Sequence, residues 1–160
     1  VVIVDVTDKS NPELITTKSY GGSGYAHQSW LSMDHKYLFF GDELDEYYYG
    51  GNTKTYVFDM TRLTDPELSF TYNGTTTAID HNGYVVGGLY YLSNYTAGLR
   101  VMDISQIQNN SMDEVMYFDT YPESDLGSFN GVWNIYPFFQ SGIIAISDSN
   151  SGLFLVKASD

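Results

Sequence analysis

One short phrase recurs four times along this chain, and its period constrains the fold more than any single residue does. Val1-Val-Ile-Val-Asp-Val6, Thr55-Tyr-Val-Phe-Asp-Met60, Leu99-Arg-Val-Met-Asp-Ile104 and Leu153-Phe-Leu-Val-Lys-Ala158 align on Asp5, Asp59, Asp103 and Lys157. The steps between them are 54, 44 and 54 residues. Each copy is an apolar, β-branched or aromatic run of strand length. Units of this size that contain several such runs are the sequence signature of an all-β protein built of β-propeller blades.

Gly, Asn, Asp and Pro clusters divide each unit into four short β segments. The unit 24–72 has Gly24 to Ser32, Tyr37 to Gly41, Thr55 to Met60 and Leu68 to Tyr72. The unit 77–121 has Thr77 to Val86, Leu89 to Ser93, Leu99 to Ile104 and Val115 to Tyr121. Residues 1–20 supply two strands of an earlier blade, and 128–160 supply three strands of an incomplete one. Asn11-Pro12 and Asp65-Pro66 mark the turn between the third and fourth strands, because proline sets φ and Asx side chains close turns locally. Gly98 and Gly152 stand just before a third strand, where a tight turn calls for positive φ. Gln106 to Glu114 has room for one helical turn but reads as a loop. Three blades plus one strand fall short of the four or so that a closed ring needs. The expectation is therefore a segment of a larger propeller, completed by more of the same protein or by further copies.

Charge narrows the partners. Twenty Asp and Glu against seven Lys and Arg give a net charge of −13, which repels phosphate backbones and anionic membrane surfaces and attracts cations. The simpler alternative is that acidity keeps an exported protein in solution. Cysteine is absent, so thiolate metal sites and disulfides are excluded. No signal peptide or membrane span is legible, and the chain opens on an apolar strand without methionine, the look of a mature or trimmed chain. Asn73, Asn94 and Asn109 begin glycosylation-type triplets, a pattern short enough to arise by chance.

Aligning the units also aligns their polar residues. The first strands carry His27, His81 with Asn82, and Asn130 at like positions, and the second strands end on Asp42, Asn94 and Asp148. In a propeller the first strands line the central channel, so two rows of His, Asn and Asp suit a polar ligand or a divalent cation. The competing reading is that these groups bond loop backbones and fix the geometry between blades. A zinc site on His27 and His81 lacks an evident third ligand in the sequence. Asp42, Glu43, Asp45 and Glu46 crowd four carboxylates into five residues, which repel unless a cation or solvent relieves them. Calcium suits those hard oxygens, although the spacing is not that of an EF-hand loop. A solvated acidic loop is the alternative, with Tyr47, Tyr48 and Tyr49 beside it as a contact surface. Trp30, Trp133, Tyr136 and Phe138 are expected to pack between blades, and His35 to sit in a solvated hairpin turn. No nucleophile elbow, phosphate loop or nucleotide fingerprint appears.

The words Val1-Val-Ile-Val-Asp5, His27-Gln-Ser-Trp-Leu31, Asp42-Glu-Leu-Asp-Glu46, Ile79-Asp-His-Asn82, Asn94-Tyr-Thr-Ala-Gly-Leu-Arg100, Tyr117-Phe-Asp-Thr-Tyr-Pro122 and Phe129-Asn-Gly-Val-Trp133 span nearly the whole chain. In combination they resemble the choice-of-anchor B family of bacterial surface proteins, built from LVIVD-type propeller repeats. The resemblance implies a propeller fold and export to the cell surface through differing C-terminal anchors. It implies no particular reaction.

Three functions follow as expectations. The leading one is an extracellular or cell-surface binding or scaffold propeller that holds a protein or polar ligand, with calcium as cofactor. The second is a metal-dependent hydrolase with His27, His81, Asp42 and Asp148 around a cation at the channel mouth. The third is a structural subunit of an extracellular assembly. Nucleic acid and direct membrane insertion are not expected.

Overall fold

A computed structural model describes residues 1–159. It is all-β, with thirteen strands in four antiparallel sheets that follow one another along the chain. The first sheet pairs β1 (Val2–Asp5) with β2 (Glu13–Thr17). The second runs in order through β3 (Ala26–Leu31), β4 (Tyr37–Asp42), β5 (Lys54–Asp59) and β6 (Glu67–Asn73). The third runs through β7 (Gly83–Val86), β8 (Leu89–Ser93), β9 (Leu99–Asp103) and β10 (Asp113–Phe118). The fourth holds β11 (Val132–Tyr136), β12 (Ile143–Asp148) and β13 (Gly152–Lys157). Two strands, four, four and three is the order that the repeat predicts.

Period-two alternation explains how the sheets stack. Neighbouring residues of β4 face opposite ways: Phe40 packs with Tyr56, Phe58 and Ile3 of the first sheet, and Phe39 packs with Val85, Tyr90 and Met102 of the third. Leu99 and Val101 then meet Val132, Ile135, Ile144 and Ile146 of the fourth. The core is thus three successive interfaces between sheets, each filled by β-branched and aromatic residues. Fully burying each large side chain there contributes about 1.5–3 kcal/mol. On the outward faces of the end sheets, Val2, Val4, Leu153 and Leu155 stay exposed.

The recurring Asp has a local task. Asp5, Asp59 and Asp103 close each third-type strand by accepting the backbone N–H two residues on, from Thr7, Thr61 and Ser105, at 2.7–2.8 Å. Gly98 and Gly152 take φ of 81° and 88°, as the turn before such a strand requires. At Gly98 a Cβ would also sit 2.8 Å from the Asp119 backbone.

Helix is scarce. The loop after β9 holds one 3₁₀ turn at Ile107–Asn109, and α1 (Asp45–Tyr49) falls in the stretch expected to be a loop. Among the described residues no helix is long and apolar enough to cross a membrane. Trp30, Trp133, Tyr136 and Phe138 are only half-buried; the Trp30 and Phe138 rings each meet Tyr84 edge to face, and Tyr136 meets Phe138 in the same way.

Candidate functional site

The inner strands of three sheets share one irregularity. The β3–β4 register slips between Ala26 and Gln28, and that of β11–β12 between Val132 and Asn134. Ahead of β7, the His81 N–H reaches Ser93 O, and the Ser93 N–H returns to Asn82 O. Each is a bulge in which two residues oppose one, and its extra residue is His27, His81 or Trp133. Bulges re-aim side chains, and here they stack these rings: His27 on His81 with centroids 4.6 Å apart, and His81 beside Trp133 at 4.6 Å. The sheet register therefore matches Trp133, not Asn130, to the two histidines. Asn130 lies three residues earlier, hydrogen-bonded to Ser128 and Asn150.

Glu43, from the loop after β4, reaches this group. Its Oε2 is 3.5 Å from His27 Nδ1, its Oε1 is 3.6 Å from His81 Nε2, and the Tyr95 hydroxyl donates to Oε1 at 2.7 Å. Burial, then the bond to Glu43, raises the Tyr95 phenol far above its ordinary range, so it stays a donor. His81 Nδ1 lies 2.5 Å from the Trp133 carbonyl oxygen, with the Asn82 side-chain amide 3.1 Å away. Burial holds the His81 ring toward its neutral form. The third partner that the two histidines lacked in sequence is thus Glu43.

One residue before His81 the chain turns inward. Asp80 is 1% exposed, and neither of its carboxylate oxygens has a hydrogen-bond partner among the described residues. It meets Asp45 and Glu46, 1% and 6% exposed, and one oxygen from each of the three lies within 4.8 Å of the others. Asp45 Oδ1 and Glu46 Oε2 are also without partners. Their other oxygens are held: Tyr56 OH donates to Asp45 Oδ2 at 2.7 Å, the Lys54 ammonium lies 3.1 Å from it, and the Lys54 backbone N–H donates to Glu46 Oε1 at 2.9 Å. Burial, then the neighbouring carboxylates Asp45 and Asp80, push the Glu46 carboxyl up to about 10. Burial, then Asp45 and Asp42, drives Asp80 well above the carboxylate range. Gly41 makes the room, since a Cβ there would collide with an Asp80 oxygen.

The second predicted row has another role. Asp42 accepts from Tyr20 OH at 2.5 Å, from Gly24 N–H at 2.8 Å and from Tyr25 N–H. Asp148 accepts from Thr120 OH at 2.5 Å and from the backbone of Asn150 and Ser151. Asn94 is bonded to Thr53 at 3.1 Å. In each case the hydroxyl belongs to the preceding repeat, so this row ties sheet to sheet, and among the described residues neither acid joins a cluster of three that could hold a metal.

Asp80 is the residue that sequence reasoning passed over. Its signal was a carboxylate at the inner-strand position where the other repeats put Ala26 and Val132. No family model matches the chain, and no curated protein matches it.

Proposed function

We propose that this chain is part of an exported, cell-surface propeller that works as a binding or scaffold module, with a calcium-class cation organising its contact rim. The observation that carries the reading is buried Asp80, with both oxygens unpartnered, facing Asp45 and Glu46. An ionised carboxylate buried without partners is strongly unfavourable. Once ionised around a bound cation, the three carboxylates set against the Lys54 ammonium would carry two negative charges, the complement of one divalent cation. The free groups are hard oxygens, which calcium accepts in flexible geometry.

The same segment links cation to contact surface. α1 begins with Asp45 and Glu46 and ends with Tyr47, Tyr48 and Tyr49, which are 63%, 59% and 64% exposed. A cation on the first pair would hold the tyrosines in one arrangement, and ordered tyrosine offers contact area at small entropic cost. The exposed apolar faces of β1 and β13 fit coverage by further sheets of the ring. Acidity and the resemblance to anchored LVIVD-repeat proteins support the cell surface.

Calorimetric titration of chelator-treated protein with calcium, together with hydrogen exchange over residues 43–50, tests this. One bound calcium with slowed exchange across α1 is expected. No binding up to roughly 1 mM, the weak end for extracellular modules, would refute it.

A further inference from the structure

We infer a second metal site, for a transition-metal ion of the zinc class, at His27, Glu43 and His81. It does not depend on the carboxylate cluster. The Trp133 carbonyl oxygen can only accept a hydrogen bond. His81 Nδ1, 2.5 Å away, must therefore carry a proton. In a neutral imidazole that proton leaves Nε2 as the bare lone pair. Nε2 faces Glu43 Oε1 at 3.6 Å, and a carboxylate oxygen is again an acceptor. Two acceptors face each other in a buried place, and an electrophile between them turns that repulsion into bonding. His27 Nδ1 approaches the other Glu43 oxygen at 3.5 Å, so the carboxylate has an imidazole nitrogen at each end.

The separations fit a small ion. Ligands held 2.0–2.1 Å from a tetrahedral zinc stand about 3.3–3.4 Å apart, close to the 3.5 and 3.6 Å from each imidazole nitrogen to its own Glu43 oxygen, and one ligand atom from each of the three residues lies within 4.8 Å of the others. His27, the most exposed of the three, can supply the remaining adjustment. The surroundings resemble a built metal shell. A backbone carbonyl fixes the His81 tautomer, and the Tyr95 hydroxyl orients Glu43 at 2.7 Å. Two imidazoles and one carboxylate favour zinc-class ions over calcium. Three protein ligands leave a coordination position open, as in zinc sites that bind an exchangeable ligand.

Cobalt(II) serves as the spectroscopic probe, added to the folded chain in saturating calcium. One equivalent should bind with visible absorption bands of a four- or five-coordinate ion, and acetate should shift them. Glu43→Gln and His27→Ala should each weaken zinc in competition by more than the roughly 10–100-fold that loss of an outer-shell partner costs. Their calcium isotherms and circular dichroism should stay as in the unaltered chain. Asp80→Asn should keep the cobalt spectrum while losing calcium, which separates this site from the carboxylate cluster. The assignment is overturned if the folded chain binds no cobalt. It is equally overturned if both variants bind as the unaltered chain does, or if Asp80→Asn abolishes the spectrum. A spectrum indifferent to acetate removes the open position.

Discussion

Replacing Asp80 with Asn separates a cation site from a merely acidic interior. The substitution keeps the shape of the side chain and removes its charge, and neither Asp80 oxygen has a protein partner to lose. Without a cation, burial and then Asp45 and Asp42 shift Asp80 toward its neutral form, which Asn resembles. The melting temperature of the calcium-free variant should therefore equal or slightly exceed that of the unaltered chain. Calcium reverses the order. At 100 times its dissociation constant a ligand specific for the folded state adds about 2.7 kcal/mol, which for a domain of this size raises the melting temperature by roughly 5–11 °C. The unaltered chain should show that rise and the variant should lose most of it. Scanning calorimetry of both proteins, with calcium and with chelator, reads all four values. If the unaltered chain melts alike in calcium and chelator, or the variant keeps the full rise, the cation reading fails. A calcium-free variant that melts several degrees lower would show that Asp80 has a protein partner after all.

Three further outcomes follow. Phe39 is fully buried between the second and third sheets, so Phe39→Ala should cost about 3–5 kcal/mol, read as a lower urea midpoint with the slope unchanged. Gly41→Ala drives a methyl group into the Asp80 carboxylate, so calcium binding should fall sharply in calorimetry while the far-ultraviolet circular dichroism stays that of a β protein. Asp103 is held below its ordinary carboxylate range by the Ser105 backbone N–H, so its contribution is complete above the unfolded value of about 4 and fades as pH falls through the lower folded value. The urea midpoints of the unaltered chain and Asp103→Asn should therefore differ most at neutral pH and converge toward pH 2; a constant gap would refute the turn bond as its source.

The sheets were legible because a strand leaves a local trace. Apolar alternation and turn residues lie within a few positions of each other, so β8 falls at Leu89–Ser93 as the pattern places it. Departures occur where tertiary demands replace that pattern. The first strand of the third sheet was expected from Thr77, yet β7 starts at Gly83. The intervening residues are committed elsewhere: Ala78 O accepts from Thr53 at 2.5 Å, Asp80 enters the cluster, and His81 occupies a bulge. Likewise α1 spans five residues, too few to show a helical period, and its Asp-Glu-Tyr content reads as a polar loop.

The candidate site was half legible for a related reason. Sequence alignment groups side chains by type, so His27, His81, Asp42, Asn94 and Asp148 looked like parts of one arrangement. Whether a carboxylate is a joint or a ligand depends on how many donors reach it, and that is fixed by segments far away in the chain. Asp42 has three donors and Asp148 has three, which leaves them little to offer a cation. Asp80 has none. Asp42, Glu43, Asp45 and Glu46 look alike in sequence, yet their environments divide them: Asp42 closes the first sheet onto the second, Glu43 turns to the histidines, and Asp45 and Glu46 turn inward beneath Asp80. One acidic stretch thereby serves three structural addresses, and the two that leave acceptors unopposed are the two where an added cation relieves the repulsion.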